Sequence, residues 1–163
     1  MENSQLETNF SNTNSIIEET KYNIGIEIGG TNIKVVITTS ELKTEEIVNL
    51  IQEKRLQIGE FKTNLDDKEP EDIINAVSKW VLVNNKIESR LINHVLISMF
   101  GPLNLQKLSD DYGQVLNTPK KGWKGFNVVK SFAKNLVIEK NKILIELDVN
   151  CAAYMEYKLG NHK

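Results

Sequence analysis

The sequence predicts an α/β domain in which helices pack on a mixed β-sheet that opens with a β-hairpin. Residues 22–28 and 33–39 are rich in Ile and Val and flank the pair Gly29-Gly30, the pattern of two strands joined by a tight turn. Further along, apolar runs of strand length alternate with segments of helical periodicity. Alternating strands and helices form layered α/β domains, and the opening hairpin makes the sheet mixed rather than purely parallel.

The other elements follow in alternation along the chain. They are a third strand within residues 47–61, a helix from Pro70, a strand at 94–100, a helix at 128–136, a strand at 143–147 and a helix at 150–159. Proline suits the first turn of a helix, and Gly160 is placed to end the last one. Residues 103–125 contain Gly, Pro and Asp with little periodicity, which predicts a long structured loop; such loops are usually functional.

The composition is that of a globular protein. The chain has 163 residues, of which 40% are hydrophobic and 26% charged, and a net charge of −2. Residues 1–20 hold four acidic and no basic side chains among many Asn, Ser and Thr, so a disordered tail is predicted before a folded domain at residues 21–163. The absence of a basic block interleaved with aromatic residues argues against nucleic acid as a partner.

The sequence also bears on where the protein is located and on whether it can form a disulfide or a zinc site. No apolar run approaches the roughly 20 residues that span a bilayer, and the N-terminus lacks the basic and apolar regions of a signal peptide, so a cytoplasmic protein is expected. Cys151 is the only cysteine, so no intrachain disulfide is possible. With two histidines in addition, the chain is expected to form no zinc cluster.

The first candidate site is the hairpin tip in GIEIGGTN, residues 25–32. Two glycines there permit positive φ and remove the Cβ atoms that would block an anion, so backbone N–H groups and the Thr31 hydroxyl can contact phosphate oxygens. Glu27 lies just before the turn, where a carboxylate can hold Mg²⁺ through water. The alternative is an ordinary hairpin, since Gly-Gly is a common turn pair.

The second candidate is Asp148, which follows the apolar run 143–147. A carboxylate at the C-terminal end of a buried strand lies where α/β sheets place their ligands, and it can accept the proton of an attacking hydroxyl. The alternative is an Asp or Asn that caps a helix starting near Asn150. Both roles can coexist, with Asn150 capping the helix and Asp148 reacting.

The third candidate is the loop NTPKKGWKGF at residues 117–126. Its polar residues and one large aromatic side chain, Trp123, can line a sugar site. The alternative is a loop that Trp123 merely anchors.

Four motifs in order give the sequence a family resemblance: GIEIGGTN, then SMFGP, then NTPKKGWKGF, then LDVNCAA. In this order and at these separations they resemble the N-terminal half of the ROK sugar kinases over nearly all of residues 21–160. Glu27, the segment Asp111-Tyr112-Gly113 and the Thr-Pro-Lys-x-Gly-Trp form are most similar to the fructokinase branch. The resemblance implies the actin-like, ribonuclease-H-like ATPase fold.

The resemblance also implies a role for each matching residue. Asp148 is the expected catalytic base, and Glu27 is expected to hold Mg²⁺. The expected phosphate and ATP ligands are Gly29, Gly30, Thr31, Asn32 and Lys34, and the expected sugar-binding residues are Gly101, Pro102, Asn117, Thr118, Asn150 and Asp148 itself. Asn32 stands where many members have Lys, and Lys34, on the same strand face, is expected to supply that charge. Leu147 stands where Thr or Asn is common.

The function expected from the resemblance is transfer of a phosphoryl group from ATP to a hexose, with Mg²⁺ as cofactor. Lys120 replaces an Asn of glucokinase relatives, so fructose is the expected hexose. Family members continue into a second lobe with further phosphate, adenosine and sugar ligands, which is expected to be absent here; the partner is then that complementary lobe or a second copy in a homodimer. The alternative function is a non-catalytic, split or degenerate kinase paralogue that acts as a binding module.

Overall fold

A computed structural model describes residues 19–64 and 68–160 of the chain. The predicted disordered tail lies outside the described residues except for its last two positions. The strands are β1 (Tyr22–Ile28), β2 (Asn32–Thr39), β3 (Ile58–Lys62), β4 (Ile92–Met99) and β5 (Ile143–Leu147), and the helices are α1 (Thr44–Gln52), α2 (Pro70–Lys79), α3 (Val128–Leu136) and α4 (Asp148–Leu159). Helix α2 continues into a π-helical turn at Trp80–Asn84.

The five strands form one sheet in the order β3-β2-β1-β4-β5. Strand β2 runs antiparallel to both β1 and β3, whereas β1, β4 and β5 are parallel to one another. The predicted mixed sheet with an opening hairpin is therefore confirmed. Because β1, β4 and β5 are parallel, the turns after β1 and β4 and the start of α4 after β5 lie at the same edge of the sheet.

One face of the sheet forms the core. Alternate residues of neighbouring strands are in register there, for example Ile26 with Val35 and with Ile97, because side chains alternate along a strand. They form one buried cluster with the apolar stripes of α2 and α3, including Val77 and Phe132, both fully buried. Burial of such side chains stabilises the fold by about 1.5–3 kcal/mol each.

Helices α2 and α3 are also joined by a polar contact at Glu71. The Glu71 carboxylate accepts hydrogen bonds from Ser131 Oγ (2.6 Å), Lys134 Nζ (3.1 Å) and Asn135 Nδ2 (3.2 Å). These contacts, chiefly the one from Ser131, lower the pKa of Glu71 below its ordinary value.

The opposite face of the sheet is open. It presents Val36, Leu96 and Leu144, in a groove of about 670 Å³ that Ile51 of α1 and Cys151 of α4 border. Leu96 is 46% exposed and Leu144 42% exposed. We call this surface, defined by Val36, Ile58, Leu96 and Leu144, the open face.

Two expectations about element boundaries were wrong in part. The third strand lies within residues 47–61 as predicted, apart from its last residue, Lys62, but most of helix α1 lies there as well and was not predicted. The helix forms because Ile47, Val48 and Ile51 have helical spacing and the Glu46 carboxylate caps the Lys43 N–H at 2.8 Å. Helix α4 begins at Asp148, two residues before the predicted Asn150.

The predicted loop at residues 103–125 contains no helix or strand, only two isolated bridges, Leu103 with Val115 and Gln114 with Asn127. Trp123 anchors it, 1% exposed, with its ring edge-on to Phe100 at 5.4 Å and to Phe126 at 5.7 Å between centroids. Within residues 19–64 and 68–160, no helix combines the length and apolar character needed to cross a membrane.

Candidate functional site

The turn between β1 and β2 has all three of its carbonyl groups bonded. Thr63 Oγ1 donates to the Gly29 carbonyl (2.7 Å), Lys120 Nζ to the Gly30 carbonyl (2.6 Å), and the Thr63 N–H to the Thr31 carbonyl (3.0 Å). Within the described part of the chain, the N–H groups of Gly30 and Thr31 have no hydrogen-bond acceptor. Because donors remain available at an exposed turn, an anion can bind there.

Close approach calls for glycine at one position of this turn, Gly29, and unusual backbone angles call for it at neither. Positive φ was expected to be their use, but neither Gly29 nor Gly30 has it. A Cβ added to Gly30 would lie 3.4 Å from Lys120 Nζ, and one added to Gly29 would lie 3.1 Å from the Asn32 carbonyl oxygen. Glycine at position 29 therefore allows the tight return of the chain, whereas a side chain at position 30 would make only an ordinary van der Waals contact with Lys120.

Asn32 and Lys34 lie on the same face of β2, as expected, and both are exposed. The Asn32 Oδ1 atom accepts a hydrogen bond from Lys62 Nζ at 2.9 Å. Lys34 lies opposite Glu27 in the β1–β2 register and lines the groove of the open face. Asn32 is uncharged, but it has two lysine neighbours: Lys62, which is bonded to its side chain, and Lys34, two residues further along β2.

Glu27 is the residue at which Mg²⁺ binding was predicted. Its exposed carboxylate lies one residue before the end of β1, in register with Lys34 and Ser98, and makes no hydrogen bond or ion pair with any described residue. Across the described ranges, no three His, Cys, Asp or Glu side chains come together to hold a metal. A cation at Glu27 would therefore need water or a bound anion to complete its coordination.

Asp148 lies directly after β5, on the edge of the sheet where β1 and β4 also end. It is half-buried, and its Oδ1 accepts the N–H of Val149 at 2.8 Å. Ligands of α/β sheets bind at the carboxyl ends of parallel strands. Since Asp148 is the first residue of α4, it bonds the next N–H rather than one in the second or third position of the helix, and so it is not an N-cap of the usual kind.

The turn after β4 adjoins Asp148. A Cβ added to Gly101 would lie 2.4 Å from Leu147 Cδ2, so glycine allows this turn to approach the residue before Asp148. The Pro102 carbonyl accepts the Leu116 N–H at 2.8 Å, which brings exposed Asn117 to the same end of the sheet. Gly101, Pro102 and Asn117 therefore lie at the end of the sheet at which β5 leads into Asp148.

Thr118 and Asn150 use their side chains within the protein. The Thr118 hydroxyl accepts the Lys120 N–H at 3.3 Å. Asn150 does not cap α4, contrary to the expectation; it lies in the first turn, and its Nδ2 donates to Glu146 Oε1 at 2.9 Å. The Thr118 hydroxyl can still donate to a ligand, and Asn150 Oδ1 can still accept from one.

A comparison with protein-family models identifies the chain. The model described as "ROK family" matches residues 23–163, nearly all of the sequence. The chain belongs to the ROK family. Its fold is the actin-like ATPase fold of ROK sugar kinases, shared for example with the ROK hexokinase of Thermus thermophilus, at a TM-score of 0.54 and 16% identity over 85% of this chain and 39% of that one.

Sequence relatives are fructokinases. This ROK-family chain is 30% identical to a fructokinase of Lactococcus lactis subsp. cremoris over 133 residues, 82% of this chain and 38% of the relative. It is 34% identical to a fructokinase of Streptococcus mutans serotype c over 81 residues, 50% of this chain and 26% of the relative. The chain therefore spans well under half the length of these enzymes.

Two residues of the ROK site region were missed from the sequence. Glu146 Oε1 accepts both the Leu147 N–H (2.8 Å) and the Asn150 side chain, and so it fixes the segment around Asp148. The alternation of β5, which places Glu146 on the open face at the strand end, could have indicated it. Lys120 was expected as a polar residue of the loop at 117–126 and as a marker of the substrate, and nothing in the local pattern links it to a turn 90 residues away.

Proposed function

We propose that this ROK-family chain contributes the phosphate turn and the catalytic base of an ATP-dependent hexose kinase whose sugar substrate is fructose. The observation that supports it is the convergence of three segments at the carboxyl ends of β1, β4 and β5: the turn at residues 29–31, Gly101-Pro102, and Asp148. In this proposal the turn at residues 29–31 binds phosphate, the turn at Gly101-Pro102 borders the sugar (the sugar-facing turn), and Asp148 is the base. The alternative of a non-catalytic binding module gains no support from the relatives.

In the proposed reaction, a hydroxyl oxygen of the hexose bonds to the γ-phosphorus of ATP as the bond from that phosphorus to the bridging oxygen of ADP breaks. The hydroxyl proton passes to the Asp148 carboxylate, and ADP leaves with the electron pair of the broken bond. Asp148 has one carboxylate oxygen, Oδ2, that accepts no hydrogen bond from a described residue, so it is available to accept one from a substrate hydroxyl. A base in hydrogen-bond reach typically accelerates such a step about 10²–10⁴-fold.

The chain's other residues would position the phosphates. The N–H groups of Gly30 and Thr31 and the Thr31 hydroxyl would donate to phosphate oxygens. Glu27 would hold Mg²⁺ through water, and the ion when bound offsets phosphate charge. Phosphoryl transfer depends chiefly on such positioning and electrostatics.

Two observations favour fructose as the substrate. The sequence relatives at 30% and 34% identity are fructokinases, and Lys120 stands where glucokinase relatives have Asn. A coupled assay of ADP release by the full gene product, with ATP, Mg²⁺ and a panel of fructose, glucose and mannose, tests the proposal. We expect kcat/KM to be highest for fructose. Higher kcat/KM with glucose would refute the substrate assignment, and no turnover with any hexose would refute the kinase assignment.

A further inference from the structure

Lys120, in the loop between β4 and α3, contacts the turn at residues 29–31, which we call the phosphate turn. Its Nζ donates to the Gly30 carbonyl at 2.6 Å and lies 5.1 Å from the centroid of the Phe100 ring. Phe100 is itself buried, and its N–H donates to the Ile28 carbonyl at 3.2 Å. Since Ile28 precedes Gly29 and Phe100 precedes Gly101, the ammonium group lies where the phosphate turn meets the turn expected to border the sugar.

The Lys120 backbone is fixed on both sides. Its N–H donates to Thr118 Oγ1 at 3.3 Å, and its carbonyl accepts the N–H of Trp123 at 3.2 Å. Trp123 is buried against Phe100, so the loop packs directly on the residue over which the ammonium lies. The half-buried Lys120 side chain therefore begins from a defined backbone position, whereas the next residue, Lys121, is exposed and its side chain makes no hydrogen bond or ion pair with a described residue.

The Lys120 ammonium group has hydrogen-bond donors that are not used within the protein. It has three N–H bonds and no acceptor, and one bond to the Gly30 carbonyl leaves two for another partner. The free N–H groups of Gly30 and Thr31 belong to the same turn. Asn32, by contrast, brings no charge to this turn, and its side-chain oxygen is already bonded to Lys62. Two ammonium groups are thus fixed at this segment, Lys62 on the Asn32 side chain and Lys120 on the Gly30 carbonyl, and Lys120 is the one that also lies over Phe100, beside the turn at Gly101.

We propose that Lys120 is a phosphate-binding residue of this site, and that it holds the terminal phosphate of the donor between the hairpin turn and the sugar-facing turn. The inference rests on the proposed function, and it gives Lys120 the charge that the sequence suggested for Lys34. Lys34 instead lies opposite Glu27 on the face of the groove. A charge-assisted bond to phosphate is roughly twice as strong as a neutral one, so Lys120 strengthens binding beyond what the backbone N–H groups provide.

Inorganic triphosphate is the probe, titrated into the 163-residue chain and followed by NMR. The amide signals of Gly30 and Thr31 report on the turn, and the side-chain ammonium signal of Lys120 reports on the contact itself. We expect both sets to shift together. Lys120→Gln should weaken triphosphate binding about tenfold or more, Lys120→Arg should restore most of it, and the matched control Lys121→Gln should leave it unchanged.

The outcomes separate the two proposals. If the turn amides do not respond to triphosphate at all, the turn is not an anion site, and both the phosphate assignment and the role of Lys120 are wrong. If the turn responds but the Lys120 ammonium signal does not, or Lys120→Gln binds as tightly as Lys121→Gln, then Lys120 only ties the loop to the turn. Thermal midpoints of all variants, and Lys120→Met as a second uncharged variant, distinguish lost binding from lost folding.

Discussion

Trp123 should be a principal anchor of the site loop, and its removal should cost stability and displace Lys120 together. The side chain is 1% exposed and meets Phe100 and Phe126 edge-on. Replacing a buried Trp by Ala typically costs about 3–5 kcal/mol, and each aromatic pair contributes about 0.5–1.5 kcal/mol of specific interaction. Against a total stability of about 5–15 kcal/mol, Trp123→Ala should lower the thermal midpoint by on the order of 10 °C.

Trp80 provides the matched control. It is half-buried and packs on Gly59 and edge-on to Phe61, and it makes neither of the two ring contacts that hold the site loop. Urea unfolding should give a larger loss of free energy for Trp123→Ala than for Trp80→Ala. In NMR spectra, only the Trp123 variant should shift the Gly30 amide. A loss below about 1 kcal/mol for Trp123→Ala, or an unchanged Gly30 signal in a folded variant, would refute the anchoring argument.

Two other predictions concern the α2–α3 contact and the open face. The pKa of Glu71 is lowered in the folded chain, so its ionised carboxylate stabilises the fold. Glu71→Gln should therefore reduce the free energy of unfolding at pH 7 by about 1 kcal/mol or less, because a partly exposed contact is weak. This cost should vanish as the pH falls below the ordinary value of 4.5 and through the lower folded-state pKa, because the stabilisation exists only while Glu71 is ionised. Urea unfolding at both pH values, with exposed Glu41→Gln as control, tests this, and a pH-independent cost would contradict it. The apolar open face should make the 163-residue chain self-associate. The double variant Leu96→Ser, Leu144→Ser should reduce that association in sedimentation runs, whereas the control Val83→Ser, at a residue that is 61% exposed and not part of the open face, should not. A monomeric wild-type chain at high concentration would contradict the expectation.

The strand pattern and most helices could be predicted because their signals are local. Residues 128–136 and 143–147 became α3 and β5 with the same bounds, since each shows one clear period. Helix α1 was missed because its apolar residues are followed within a few positions by the apolar residues of β3, so the helical period of one and the strand period of the other run together. The start of α4 at Asp148 was misplaced because the helix has no side-chain N-cap to mark it.

The site could be predicted only where its residues are consecutive. The hairpin tip and Asp148 each follow a recognisable strand, so their meeting at one edge follows from the parallel arrangement of β1, β4 and β5. Lys120 and Gly30 are 90 residues apart, and their contact depends on how the loop folds around Trp123. No periodicity encodes such a contact, because it arises from the packing of one irregular segment against another.

The most direct test of the proposed chemistry is the turnover of Asp148→Asn in the full gene product, measured with ATP, Mg²⁺ and fructose. Asn preserves the size of the side chain and an oxygen for the Val149 N–H, but it cannot take a proton from the sugar. The account predicts a fall in kcat of about 10²–10⁴-fold with a nearly unchanged thermal midpoint. Asp110→Asn, an exposed change in the loop, is the control and should retain full turnover. Undiminished turnover in Asp148→Asn would contradict the assignment of Asp148 as the base.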